Sequence, residues 1–276
     1  MTEEQLKHQL TQLAQNKFQL AENDELATLL PAMLQHIGSP DPILRDDLIY
    51  SSLATWILEH KIVSPAQMRE ILATILGEEH IFYQIGSAGT DAVFRRSFSV
   101  LLLPLLLIAH RAQPYLTAAE LLNIKETLLR YLAAEKDRRG FVADKGWAHA
   151  TAHAADALDD LAQCTEIDAA DLREMLHTIC QTVSIDSTVY TYGEDERLVT
   201  AAIAILKRSL LPEAEIIAWL QAFADTPPQP LPLSQTMMLR ANRKNFLQAM
   251  YFRLVREQMA GSYFAAIDQA LQKIGV

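Results

Sequence analysis

The chain has 276 residues, half of them apolar, and 34 Asp and Glu against 24 Lys and Arg give a formal net charge of −10. That length can bury a sizeable core, and the acidic field argues against nucleic acid as a principal partner. Two cysteines, Cys164 and Cys180, are too few for a disulfide framework and lack zinc-ribbon spacing, which fits a reducing cytoplasm.

The first residues, "MTEEQLKHQL", are acidic and amphipathic and carry no charged-then-apolar signal pattern. Helix-start signals recur from there on. "TEEQ" (2–5), "SPAQ" (64–67) and "TAAE" (117–120) each set Ser or Thr three residues before Glu or Gln. At that spacing each side chain satisfies an orphan backbone N–H. Pro42, Pro65 and Pro212 sit where a first helical turn tolerates a missing N–H. The predicted shorter helices run over 24–37, 65–77, 117–134, 168–184 and 212–224. Each precedes a longer apolar one starting at Asp41, Asp91, Asp144, Gly193 and Met238.

Those second helices recur about every fifty residues, the mark of stacked helical hairpins that need neighbours to bury their apolar faces. The apolar run "FSVLLLPLLLIA" (98–109) is too short for a bilayer and reads as a buried core helix, so no membrane association is expected. "STVYTY" (187–192) is the one ambiguous strand signal, and the prolines of "DTPPQPLPLS" (225–234) forbid helix there. The expected architecture is all-α, one domain over 1–276 with about five hairpins in a HEAT- or armadillo-like superhelix. An α/α toroid is the alternative.

The chemistry concentrates in "RRGFVADKGWAHATAHAADALDDL" (138–161). On a helix starting at Asp144, His149, His153 and Asp156 share one face, and the alanines around them imply a central, closely packed helix. Three readings stand. The first is a metal site, with the two imidazoles and the Asp156 carboxylate holding zinc, iron or nickel. It would serve a metal-dependent hydrolase whose general base comes from Glu135, Asp137, Glu194 or Asp195, because Ala150 replaces the glutamate of the HExxH pattern. The second is a ligand-binding or acid–base pocket around the same residues, taking a small molecule or a partner segment. The third is a buried polar network in a structural protein-interaction scaffold.

Trp147 reads as a hairpin anchor before a pocket wall. Arg95 and Arg96 could clamp an acid group, or pair with Asp46, Asp47 or Glu135 of adjacent repeats. "GEDERL" (193–198) places Glu194 and its neighbours at a helix start, with Arg197 on the face expected to line the concavity. Arg240 and Arg243 mark a basic patch near the C-terminus.

"RGFVADKGWAHATAHAAD" (139–156), "RRSFSVLLL" (95–103) and "EDERL" (194–198) together resemble the bacterial domain of unknown function 2785 family, whose proteins are uncharacterised. The resemblance implies that Trp147, His149, His153 and Asp156 belong to a shared signature, and it implies no activity.

Overall fold

The computed structural model describes residues 1–20, 23–259 and 261–275. The described residues are all-α apart from one two-stranded β-hairpin. α1 (Glu3–Gln15) and α2 (Asn23–His36) lead into one continuous rod. In it a π-helical stretch (Ile43–Tyr50), α3 (Ser51–Ala54) and a second π-helical stretch (Thr55–Glu59) follow without a break, since Ser51 and Thr55 stay right-handed. Then come α4 (Pro65–Ile75), α5 (Ala92–Ala112) and α6 (Ala118–Ala134). β1 (Phe141–Val142) and β2 (Gly146–Trp147) separate α6 from α7 (Ala150–Ala162). α8 (Ala169–Val183), α9 (Glu194–Lys207), α10 (Glu213–Ala222), α11 (Leu233–Arg256) and α12 (Gly261–Lys273) complete the chain.

Local signals account for most boundaries. Thr2, Ser64 and Thr117 each form the expected reciprocal box with Gln5, Gln67 and Glu120, and Asp168 with Asp171 forms a fourth. The prolines between Asp225 and Pro232 keep α10 and α11 apart. The starts at Asp144 and Met238 are corrected. α11 begins five residues early, at Leu233, directly behind Pro232. α7 begins only at Ala150, because Asp144 and Gly146 have φ of 64° and 76° and turn the chain back on itself. The strand pair is therefore Phe141↔Trp147 and Val142↔Gly146, and 187–192 is irregular, with Tyr190 buried.

The helices pack in two rows. α5, α7, α9 and α11 lie side by side in one, with the π-helical end of the rod against α5. α6, α8, α10 and α12 follow one another in the second, and α2 packs on α4 at the other end. α7 is central, and its small residues explain how close its neighbours come: Ala150, Ala152, Ala154, Ala155 and Ala157 are all buried between α5 and α9. One cluster of buried apolar side chains runs from Leu6 to Ala270.

α5 has 21 residues, longer than its apolar run, so length and composition would let it cross a membrane. Its packing makes it a core helix, with 78% of its most apolar window buried inside the protein.

Candidate functional site

The loop between α6 and α7 is held by buried charge on both sides. Arg45, fully buried, donates to the carbonyls of Ser39 and Lys145 at 2.7 Å each, and its guanidinium lies 4.3 Å from the Phe94 ring centre and 4.5 Å from that of Phe98. Gly146 passes so close that a Cβ there would sit 2.9 Å from Pro42 Cβ and 3.1 Å from Arg45 Nη2, and its positive φ disfavours a side chain independently. On the other side Arg96 and Glu135, both fully buried, form a two-pronged ion pair at 2.6 and 2.8 Å. Glu135 also accepts the N–H groups of Lys136 and Asp137. Arg96 spends its remaining donors on Tyr83, Gln84 and Ser87.

Between these supports the chain delivers His149. Its N–H donates to the Arg139 carbonyl, and the Ala148 N–H to that of Gly140. His149 is the N-cap of α7, with φ 45° and ψ 34°, a left-handed conformation that a non-glycine residue adopts at a cost. Its ring stacks on Trp147, with centres 4.3 Å apart and planes 23° apart. The residue is 8% exposed, and Nε2 is buried without a hydrogen-bond partner. Glu194 Oε1, on a residue 2% exposed, lies 3.6 Å from it, beyond hydrogen-bond distance. Burial, then the charge of Arg197, pushes the His149 ring down to about 4, against the Tyr192 backbone, which acts to raise it. Glu194 Oε2 accepts the Tyr192 N–H at 2.9 Å.

His153, one turn into α7, stands edge-on to His149 with ring centres 5.9 Å apart. Its Nδ1 faces the Ser97 carbonyl at 3.2 Å, which assigns the proton to that nitrogen. Burial first, then His149, lowers its ring to about 3. Both rings are neutral at pH 7.

The expected three-residue donor set does not converge. His149 lies before the helix rather than on its face, and the Asp156 carboxylate pairs with Arg197 at 2.5 Å. Burial raises Asp156 while Arg197 acts to lower it. Among the described residues no group of three or more His, Cys, Asp or Glu could hold a metal ion. Of the expected bases, Glu135 is committed to Arg96. Asp137 is committed to Arg139 and the Gly89 N–H, contacts that outweigh burial and hold its carboxyl below the usual range. Glu194 stands beside His149, and Asp195, next to it at the start of α9, is half-buried with its carboxyl raised by burial.

Arg95 leaves the site altogether, donating to the Gln35 carbonyl and lying over Tyr83. Arg243 bonds Ser184 and the Asp225 carbonyl in a separate hollow by the proline-rich loop.

Trp147 is not the buried anchor expected of it. It is 39% exposed, and Phe141 and Tyr192, each 49% exposed, meet it edge-on at 5.1 and 5.8 Å. Trp147 thus stacks on the buried His149 ring, Tyr192 meets that ring edge-on with centres 6.5 Å apart, and Phe141 joins them through Trp147. Beside them a pocket of about 350 Å³ opens between the 136–141 and 187–192 segments, with Phe141, Tyr192 and Glu194 in its wall. Phe141 and Tyr192 join the site from outside the residues expected to form it. The cross-strand pairing with Trp147 was a usable signal for Phe141, but Tyr192 comes from a segment forty-five residues further on and only the fold brings it there.

Tyr192 is seated against Gly140, where a Cβ would lie 2.2–2.8 Å from its Cδ2, Cγ and Cβ. Gly140→Ala should therefore push the 187–193 segment off the site and destabilise the chain by about 1–3 kcal/mol. Acrylamide quenching of tryptophan fluorescence reads the displacement, because Trp56 and Trp219 are buried. Unchanged quenching would mean that Tyr192 does not shield Trp147.

The sequence model of the family described as protein of unknown function (DUF2785) matches residues 81–252, well over half of the chain. The chain belongs to this family. The DUF2785 match runs from just before α5 into α11 and so contains every residue of the aromatic site. No curated protein and no solved structure matches the chain.

Proposed function

We propose that this DUF2785 protein is a cytoplasmic binding protein that holds a small ligand at the aromatic mouth around His149. The chain would be one domain, with its two helix rows stacked in the HEAT- or armadillo-like manner, since equivalent helices recur about every fifty residues and pack on their counterparts. One observation carries the reading: a strained, left-handed His149 keeps a buried Nε2 without a partner, against the exposed rings of Trp147 and Tyr192. Strain and an unsatisfied polar atom each work against folding, and a ligand donor or acceptor at Nε2 would relieve the second. Exposed aromatics beside a concave pocket add apolar contact area for such a ligand. Metal-dependent hydrolysis has less behind it, because Asp156 is paired with Arg197.

The test is a thermal-shift screen of metabolite-sized compounds against the wild type and Trp147→Ala. A true ligand at a hundred times its Kd stabilises by about 2.7 kcal/mol, and that gain should vanish in the variant. A screen in which nothing shifts the wild type, or in which every shift survives in Trp147→Ala, would sink the reading. Metal analysis of the same preparation checks the hydrolase alternative.

A further inference from the structure

The charges in the pocket wall are unevenly matched. Arg139 and Asp137 neutralise each other at 2.6 Å. Arg138, half-buried, donates only to neutral acceptors, the Thr151 hydroxyl at 3.1 Å and the Leu132 carbonyl at 3.5 Å. Lys136 is exposed on the same wall, and among the described residues neither cation has a carboxylate within ion-pair distance. Glu194 is the converse, a carboxylate withdrawn from water whose close neighbours are the Tyr192 N–H and the His149 ring. His149, with its pKa near 4, supplies no compensating charge at neutral pH. With one N–H on one oxygen and a ring nitrogen 3.6 Å from the other, the Glu194 carboxylate keeps acceptor capacity for a cationic donor brought by a ligand.

The two unmatched signs share one pocket of about 350 Å³, and the negative one has Phe141 and Tyr192 on the same lining. An aromatic face attracts an ammonium group, most strongly where water is partly excluded. An acid group is best held by Arg or Lys through charge-assisted hydrogen bonds. A lone cation would be drawn to Glu194 but repelled by Arg138 and Lys136, and a lone anion would meet the reverse.

Resting on the ligand-binding reading above, we infer that the pocket takes a small zwitterion. Its ammonium end lies at Glu194 between Phe141 and Tyr192, and its carboxylate or other acid end lies at Arg138 and Lys136, across a short aliphatic spacer.

Isothermal titration of the full chain tests this with a graded series: glycine, β-alanine, γ-aminobutyrate and ε-aminocaproate, each with its N-trimethyl form. Butyrate, butylamine and tetramethylammonium are the single-charge controls. At least one zwitterion should bind about tenfold or more tighter than every control. Glu194→Gln should bring that zwitterion down to the affinity of the acid alone. Lys136→Glu, an exposed change that leaves the core untouched, should weaken it independently, and thermal melts establish that both variants fold. Controls that bind as tightly as the best zwitterion overturn the inference, as does a series in which nothing binds. If the metabolite screen meanwhile yields a Trp147-dependent ligand of another class, the binding reading survives and only the zwitterion falls. If neither experiment yields a ligand, both fall.

Discussion

Glu135→Ala should destabilise the protein by about 3–5 kcal/mol, the usual consequence of leaving one member of a buried ion pair uncompensated. The carboxylate is fully buried, grips Arg96 with both oxygens and caps the turn after α6 through two backbone N–H groups. Its removal strands the Arg96 guanidinium among the carbonyls of Tyr83, Gln84 and Ser87. Urea unfolding at neutral pH measures the loss. The double variant Arg96→Met/Glu135→Leu should recover part of it, since no charge is then left buried, and a double-mutant cycle extracts the coupling. Full recovery is not expected, because the carbonyls that Arg96 satisfies lose a donor. The same experiment decides whether Glu135 is a chemical base. A variant that unfolds like the wild type but fails in a functional assay would contradict the structural role assigned to the pair.

That pair also illustrates what could be read before the fold was known. The sequence offers Glu135 as an ion partner to both Arg95 and Arg96 and contains nothing that chooses between them. The choice depends on which side of α5 faces the loop after α6: Arg96 points in, and Arg95 points out to Gln35. Helix starts set by bonds within four residues, such as those at Thr2, Ser64 and Thr117, were legible because their whole cause lies in the local chain. The start of α7 was not. Its delay to Ala150 depends on a turn whose carbonyl, that of Lys145, is held by Arg45 a hundred residues earlier. Once the hairpin forms, His149 leaves the face it would have shared with Asp156, and the helical spacing that suggested three metal ligands no longer describes their positions. The alanine run does mark a central helix, because small side chains constrain packing whatever their register. Trp147 departs from the anchor expectation for the same reason as His149. On a helix it would have pointed into a core, whereas on β2 it faces Phe141 across the strand pair and solvent beyond.

The two histidines should make stability depend on pH between about 6.5 and 3. In the unfolded chain both rings take up protons near 6.5, while in the folded chain His149 resists to about 4 and His153 to about 3. Over that window the unfolded state binds more protons, so stability rises with pH. The contribution of neutral rings is complete above about 6.5 and is lost as the pH falls, at about 1.4 kcal/mol per pH unit for each ring. Several carboxyls work the other way, among them Asp156, Asp160 and Asp195, which burial raises. Burial pushes Asp46 and Asp159 up to about 6, so the folded state protonates them first and gains stability as the pH drops towards their ordinary range. The wild-type curve alone therefore mixes opposite slopes, and the histidine share is the difference between wild type and variant. His149→Asn keeps a residue that tolerates a left-handed backbone, and His153→Gln keeps a donor near the Ser97 carbonyl. Denaturant titrations at half-unit pH steps should give a shallower acid slope for each variant. The gap for His149→Asn should stop growing near pH 4, and that for His153→Gln nearer pH 3. Parallel curves for the variants and the wild type would show that the rings are not buried neutral in the folded chain. A ligand that donates to His149 Nε2 binds the neutral ring alone, so its affinity should hold from neutral pH down towards 4 and fall only where the ring itself takes up a proton.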